Sequence, residues 1–529
     1  MSLLLTDVTV GDRPGRAVHV VDGRIAWLGD AGAAPPAERV IAGEGALLTP
    51  AFVDAHVHAT ATGLALTGLD LHPSVSLAAA MSSVADHVRA ANGIILGTGW
   101  DETAWPERRG PTRHDLDAVV GDRPAYLARV DVHSATVSTA LLDMVPGIAE
   151  LPGFAADGRL RLDAHHAARK AAYGAVGADQ RRAAQWATLD AAATLGIGSV
   201  HEMAGPEVSG ADDLAGLLVL ARERPGPLVL GYWGELAERG GLDVVRELGL
   251  AGAGGDLFCD GAFGSHTAAL SGHYTDQPET SGTLRFATGQ LIHHIRVCTR
   301  AGIQAGFHVI GDRAVSVVVE GFRAAAEILG APAVVAARHR VEHVEMATDD
   351  QMALLGSLGV TASMQPMFDA CWGGDDSLYA RRLGLDRARP MNAFASMNRA
   401  GVALAFGSDT PVTPFDPWAG VRAAAWHHTE SERLTVRAAF NAYTRGGWRA
   451  AGRDEGGVIA LGTPASIAVW DVPGDLVVQT PDTRIAAWST DPRAGVPQLP
   501  DLHPDVALPS CVLTLVNGEV TFEESGVLA

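Results

Sequence analysis

The apolar positions of this chain follow one rhythm at its ends and another in its middle. Residues 1–50 read as LLLTDVTV, AVHVVDGRIAWLG and ALLTP, short alternating or β-branched stretches in which Asp22-Gly23 marks a hairpin turn. Residues 451–529 read the same way, through SIAVWDV, DLVVQ and CVLTLVNGEVTF, with Asn517-Gly518 as a second hairpin turn. Neither end has enough residues for a comfortable core alone. The two are predicted to be the first and second parts of one composite β-sandwich, with the rest of the chain inserted between them.

In the middle, Ala- and Arg-rich helical stretches such as ADQRRAAQWATLDAAATLG and AVSVVVEGFRAAAEILG separate eight short apolar runs that end in polar residues. The runs are AFVDAHVH, GSVHEM, LVLGYWG, DLFCDGAF, QAGFHVIGD, HRVEHVEM, TASMQPM and LAFGSDTP. Strands alternating with helices predict a parallel sheet, and eight such units predict a closed (β/α)₈ TIM-like barrel in an α/β fold. The first barrel strand falls in 51–75 and the others in 185–450. About 140 residues separate the first two runs, against ~30 in an ordinary βα unit. A large insertion after strand 1, spanning 76–184, is therefore expected to cover the active site.

The runs carry chemistry at their ends. In Asp54-Ala55-His56-Val57-His58 the two histidines are two residues apart, so on a strand both face the same side. One such pair is weak evidence alone, but His308 closes the fifth run, His343 the sixth and Asp409 the eighth. A barrel delivers side chains from its strand ends to the C-terminal face, the usual active-site end. Imidazoles and a carboxylate with one position left open make a zinc set, and the ion would bring the pKa of a bound water towards ~7. Asp54 and Asp312 are nearby carboxylates able to fix an imidazole tautomer, on proximity alone. Trp100, Asp101, Trp105 and His133 lie in the insertion, where they either line a substrate cavity or pack the insertion on the barrel. Gln365 closes the seventh run and is a candidate hydrogen-bond donor to substrate. Gly261 and Gly264 read as backbone-turn residues.

Composition narrows the class. Forty basic against sixty-one acidic residues give a formal charge of −21, which argues against nucleic-acid partners and anionic membranes. Four separated cysteines without a CxxC pair suggest neither a disulfide framework nor a zinc ribbon. No signal peptide or membrane span is read, so a cytoplasmic protein with a small-molecule substrate is expected. A homodimer, the commonest oligomer, is the assembly to look for. Only Lys170 is lysine.

These motifs resemble the amidohydrolase superfamily, in particular the amidohydrolase-3 branch of YtcJ-like proteins and N-substituted formamide deformylases. AFVDAHVH, GTGWDETAW, RPAYLARVDVHSATVSTALL, DGAFGSHTAAL, FHVIGD, VEHVE and FGSDTPV match the branch in order over nearly the whole chain. The resemblance implies a (β/α)₈ barrel with a composite β-sandwich and a metal-dependent amidohydrolase. His56, His58, His308, His343 and Asp409 match its metal and catalytic positions. Many relatives carry a lysine just before Leu-Phe-x-Asp-Gly, whose carboxylated form bridges two metals. Here that position is Asp256, and Lys170 lies in a helix-like segment far from any strand end.

A shorter side chain at 256 favours one divalent metal, zinc by the resemblance, held by His56, His58, His308 and Asp409. His343 is then free to act beside it. Asp256 and Glu202 are the candidate replacement carboxylates, and a second ion would make His343 a ligand. Asp409 is expected to serve as general base and then general acid, with the metal, His343 or both polarising the scissile carbonyl. The expected reaction is hydrolysis of a non-peptide amide-type C–N bond, in a formamide or another small amide. Two alternatives stand beside it: a deaminase or cyclic amidohydrolase acting on a heterocycle, and a barrel that binds a ligand without turnover.

Overall fold

A computed structural model describes residues 2–90, 92–102, 105–129, 134–479, 488–489, 497–526 and 528. The chain divides into two compact units, one of residues 1–58 with 189–529 and one of residues 59–188.

In the first unit, strands from the two ends of the chain share one eight-stranded sheet. The junction is the antiparallel pairing of Leu47–Pro50 with Ile467–Asp471, in register from Ile467 opposite Pro50 to Trp470 opposite Leu47. Leu3, Leu5, Val18 and Ile25 from the N-terminal part bury against Ile467, Val469 and Leu513 from the C-terminal part. The apolar positions read from the sequence therefore close a core only when both ends are present. A separate three-stranded sheet joins Leu476–Gln479, Trp488–Ser489 and Leu499–Pro500.

The same unit holds an α/β barrel. Its strands are β1 (Phe52–Val57), β2 (Ile197–Ala204), β3 (Leu228–Trp233), β4 (Gly252–Ala253), β5 (Gln304–Ala305 and His308–Val309), β6 (Arg340–His343), β7 (Thr361–Met364) and β8 (Ala403–Phe406). All their pairings are parallel, from β1 through β2, β3 and β4 to the first half of β5, and from its second half through β6 and β7 to β8. The ring closes where Val57 bridges Thr410 and the Asp409 N–H donates to the His56 carbonyl at 2.8 Å. Every residue of β1, β2, β6 and β7 is buried, as expected of parallel strands covered on both faces.

The fourth strand differs from its sequence reading. Regular pairing stops at Ala253, before the run DLFCDGAF begins. Gly254 and Gly255 adopt φ of 147° and 82°, and a Cβ on Gly254 would stand 2.2 Å from the Gly306 nitrogen. This close glycine approach bends the chain, and residues 256–259 then run beside β5. The His308 N–H donates to the Leu257 carbonyl, and Phe258 bridges His308. The bend sets where Asp256 enters the barrel.

The second unit is built on a five-stranded sheet of Leu69–Asp70, Ile95–Trp100, Ala125–Arg129, Ser134–Val137 and Arg159–Arg161. Because Leu69–Asp70 pairs with Ile95–Trp100, this unit begins right after His58, ahead of residue 76. Among the described residues, no helix is long and apolar enough to cross a membrane.

Candidate metal centre

The strand ends bring the sequence-selected histidines together. His56 and His58 leave β1 on the same side, and their rings lie 5.4 Å apart. His308 opens the second half of β5, and its ring lies 4.5 Å from that of His343. His343 follows Glu342 directly, and a regular strand would send the two side chains to opposite faces. His343 instead has φ of 64° at the end of β6, and its ring turns into the barrel beside His56, 5.0 Å away. Asp409 likewise has φ of 56°, just beyond β8.

Asp256 sits among all four rings. Its Oδ1 lies 3.5 Å from His56 Nε2, 3.4 Å from His308 Nδ1 and 3.8 Å from His343 Nε2. Its Oδ2 lies 3.2 Å from His58 Nε2. Asp409 Oδ1 faces the β1 pair, 3.1 Å from His58 Nε2 and 3.5 Å from His56 Nε2. Among the described residues, three groups of ligand atoms are close enough to share an ion: His56 with His58 and Asp256, Asp256 with His308 and His343, and His56 with His343 and Asp409. His308 is thus grouped with Asp256 and His343, whereas the sequence placed it with His56, His58 and Asp409. The reason is the β4 bend, which inserts the 256 carboxylate between the two sets. Glu202 is buried in β2 and joins none of these groups.

Electrostatics follows the geometry. Burial opposes charge on His56, but Asp256 and Asp409 outweigh it and push that imidazole up to about 10. His58 is raised well above the ordinary range, burial again being overcome by the same two carboxylates. Burial would raise Asp256, yet the surrounding His56, His308 and His343 hold it well below the usual carboxylate range. His343 goes the other way, lowered by burial and by the neighbouring His308.

A second layer holds the rings. Glu342 Oε2 lies 3.0 Å from His56 Nδ1, and Glu342 is clasped by Arg340, both fully buried. Burial would raise Glu342, but the guanidinium outweighs it and holds the carboxyl at about 2. Gln365 Oε1 accepts from His343 Nδ1 at 2.7 Å, and the Gly261 carbonyl lies 3.3 Å from His308 Nε2. A Cβ at Gly261 would stand 2.1 Å from Thr267 Oγ1, so the turn carrying that carbonyl needs glycine. The Gly264 carbonyl accepts from Arg382. Asp54 and Asp312 do different work from that expected. Asp54 accepts from the backbone N–H groups of His56 and Ser408, tying β1 to the turn after β8, and Asp312 accepts from the Ser271 N–H. The carboxylate on the His56 ring is Glu342, which the sequence reading missed. The available signal was two charged residues, Arg340 and Glu342, two apart inside a run otherwise read as buried strand.

The insertion residues belong to the second unit. Trp100 and Trp105 pack in its apolar core, their indole N–H groups donating to the Leu127 and Ser74 carbonyls. Asp101 pairs with Arg129 at 3.3 Å, and His133 lies outside the described residues.

The donor set fits a divalent metal. His56 Nε2, His343 Nε2 and Asp409 Oδ1 are buried, make no hydrogen bond, and form one of the three groups. Buried polar atoms of this kind call for a partner, and a cation supplies one to all three. Comparison with known proteins points the same way. A model of the amidohydrolase family matches residues 39–522. The Bacillus subtilis protein YtcJ is 26% identical over 99% of this chain and 98% of its own. An N-substituted formamide deformylase of Arthrobacter pascens is 24% identical over 86% of this chain and 90% of its own. The crystal structure of an uncharacterized metal-dependent hydrolase from Pyrococcus furiosus superposes with a TM-score of 0.73 at 27% identity, covering 89% of this chain and 98% of that one. The chain belongs to the amidohydrolase family and is a metal-dependent amidohydrolase.

Proposed function

We propose that this enzyme hydrolyses a non-peptide amide-type C–N bond, in a formamide or another small amide, at a centre that would hold two divalent ions, with Asp256 among the ligands of both. One observation carries the reading: a single buried carboxylate stands within 3.8 Å of four imidazole nitrogens. The sequence favoured one ion because aspartate is shorter than carboxylated lysine, yet the Asp256 carboxylate lies beside both histidine pairs. His56, His58, Asp256 and Asp409 would hold one ion, and Asp256, His308 and His343 the other. Zinc suits imidazole and carboxylate together, and the formamide deformylase similarity supports the substrate class.

When bound, such ions polarise a carbonyl and lower the pKa of the attacking water. Asp409 takes the proton of that water and returns it to the leaving nitrogen, acting as general base and then general acid. Gln365 holds His343 through Oε1, and its buried Nε2 has no hydrogen-bond partner, which suits donation to a substrate oxygen.

The test is elemental mass spectrometry on protein purified without chelator or nickel resin, followed by assay on a panel of N-alkyl and N-aryl formamides and small amides. About two zinc ions per chain and release of formate or another carboxylate with an amine are expected. One ion per chain would remove the bridge. Ammonia release from a heterocyclic amine would identify a deaminase instead.

A further inference from the structure

We propose that Arg340 and Glu342 are positioning residues of the metal centre, fixing the proton of His56 on Nδ1 and presenting Nε2 to Asp256 and Asp409. The proposal rests on the metal-centre reading above.

Arg340 and Glu342 lie two apart on β6, so both project into the barrel. The guanidinium donates from Nε to Glu342 Oε1 at 2.5 Å and from Nη2 to Oε2 at 2.9 Å. It also donates to the Ala55 carbonyl at 2.8 Å, to Ser363 Oγ at 2.8 Å and to His201 Nδ1 at 3.1 Å, and it lies 4.6 Å from the Tyr232 ring centroid. One side chain of β6 thereby grips β1, β2, β3 and β7. The Ala55 carbonyl belongs to the peptide bond leading into His56, so the same cation holds that residue's backbone and, through Glu342, its ring.

An ionised carboxylate only accepts hydrogen bonds. The hydrogen between Glu342 Oε2 and His56 Nδ1 therefore belongs to the imidazole, which leaves the Nε2 lone pair as the ligand. That Nε2 makes no hydrogen bond and stands 3.5 Å from both Asp256 and Asp409. A carboxylate on the far nitrogen also makes an imidazole a better donor to a metal. A buried ion pair costs desolvation that apolar residues would avoid, so filling the barrel floor does not by itself require one. An acceptor on Nδ1 sets the ring's tautomer, and a charged one also strengthens Nε2 as a metal donor.

Two variants of the full-length chain test this: Glu342→Gln, and the double variant Arg340→Met with Glu342→Leu, which removes both charges together and keeps the floor balanced. Zinc affinity is measured by competition with a chromogenic chelator, with cooperative unfolding checked by circular dichroism. Both variants should fold and bind zinc roughly 10- to 100-fold more weakly than the parent. Zinc bound within twofold of the parent by a folded variant would overturn the positioning role and leave the metal reading intact. A parent chain that takes up no zinc would overturn the metal reading itself. If neither variant folds, ¹⁵N-histidine spectra of the zinc-loaded parent decide, with His56→Gln assigning the signal. A His56 ring protonated at Nδ1 and ligated through Nε2 is expected, and the reverse arrangement would overturn the proposal.

Discussion

The two sides of the metal pocket are held by different chemistry. On the β1 side, His56 is backed by a buried ion pair, Glu342 at 3.0 Å with Arg340 behind it, and faces two carboxylates. On the β5–β6 side, His308 is backed by the Gly261 carbonyl and His343 by the Gln365 amide, and Asp256 is the carboxylate they share. Charge-assisted hydrogen bonds are roughly twice as strong as neutral ones. The imidazoles respond accordingly: His56 is pushed up to about 10, while burial and His308 lower His343. A bound divalent ion would take the place of the protons that the carboxylates hold on His56 and His58. The β1 side, richer in negative charge, is expected to hold its ion more tightly than the side with neutral support.

The strongest way to break this comparison is to remove what the two sides share. Asp256→Asn should reduce metal content to one ion or fewer per chain and lower kcat by about 10³-fold or more, the range in which a key electrostatic group acts. Two retained ions would show that Asp256 is not the bridge. Next in size, Asp409→Asn removes the proton carrier from one side only. It should lower kcat by about 10²–10⁴-fold while the ion of His308 and His343 remains. Normal turnover with normal metal content would end the acid–base assignment.

A smaller effect sharpens the contrast between the supports. Gln365→Leu removes a neutral hydrogen bond, worth about 0.5–1.5 kcal/mol, so the weaker ion should be lost about 2- to 10-fold more readily to chelator. A penalty at Gln365 equal to or larger than that at Glu342 would mean that charge is not what separates the two sides.

The smallest effect extends the comparison to buried histidines whose rings hydrogen-bond to neutral groups. Burial lowers His294 to about 4, and its ring is satisfied by the Ala237 N–H and the Ala253 carbonyl. Burial likewise lowers His339 to about 3, beside the Ala305 N–H and Thr299. Between about pH 6.5 and 4 the unfolded chain protonates these rings and the folded chain does not, so stability falls as pH falls through that window. For His294 the loss is about 3 kcal/mol at most. His294→Gln should therefore lose less stability than the parent between pH 7 and 4 in urea titrations, whatever its stability at pH 7. Parallel pH profiles would show that this histidine is not a source of the acid sensitivity.

Legibility differed from residue to residue. His56, His58, His308, His343 and Asp409 could be picked out because each closes an apolar run, and strand ends converge at one face of a barrel. Asp256 could be noticed only as a departure from the lysine of related proteins. Its reach into the pocket depends on Gly254 and Gly255, whose backbone angles no apolar pattern reveals. Glu342 carries no signal in ligand spacing, because it adjoins His343 in sequence while the ring it touches is that of His56. Trp100 and Trp105 could be read as a cavity wall or as packing the insertion on the barrel, and the structure packs both into the core of their own unit.

By itself the sequence determined the period of its strands, the alternation that makes a barrel, and which imidazoles and carboxylates arrive at strand ends. Those are local properties, set by a side-chain repeat of two along a strand and by the turn residues that follow. Only the tertiary structure decided which groups meet. Glu342 reaches His56 across 286 residues, and Ser408 meets Asp54 across 354, because closing a parallel barrel sets the first strand against the last and aims both β1 and β6 at one axis. Hydrogen bonding and charge act over a few ångströms of space, and a separation along the chain carries no record of that distance until the ring of strands has closed.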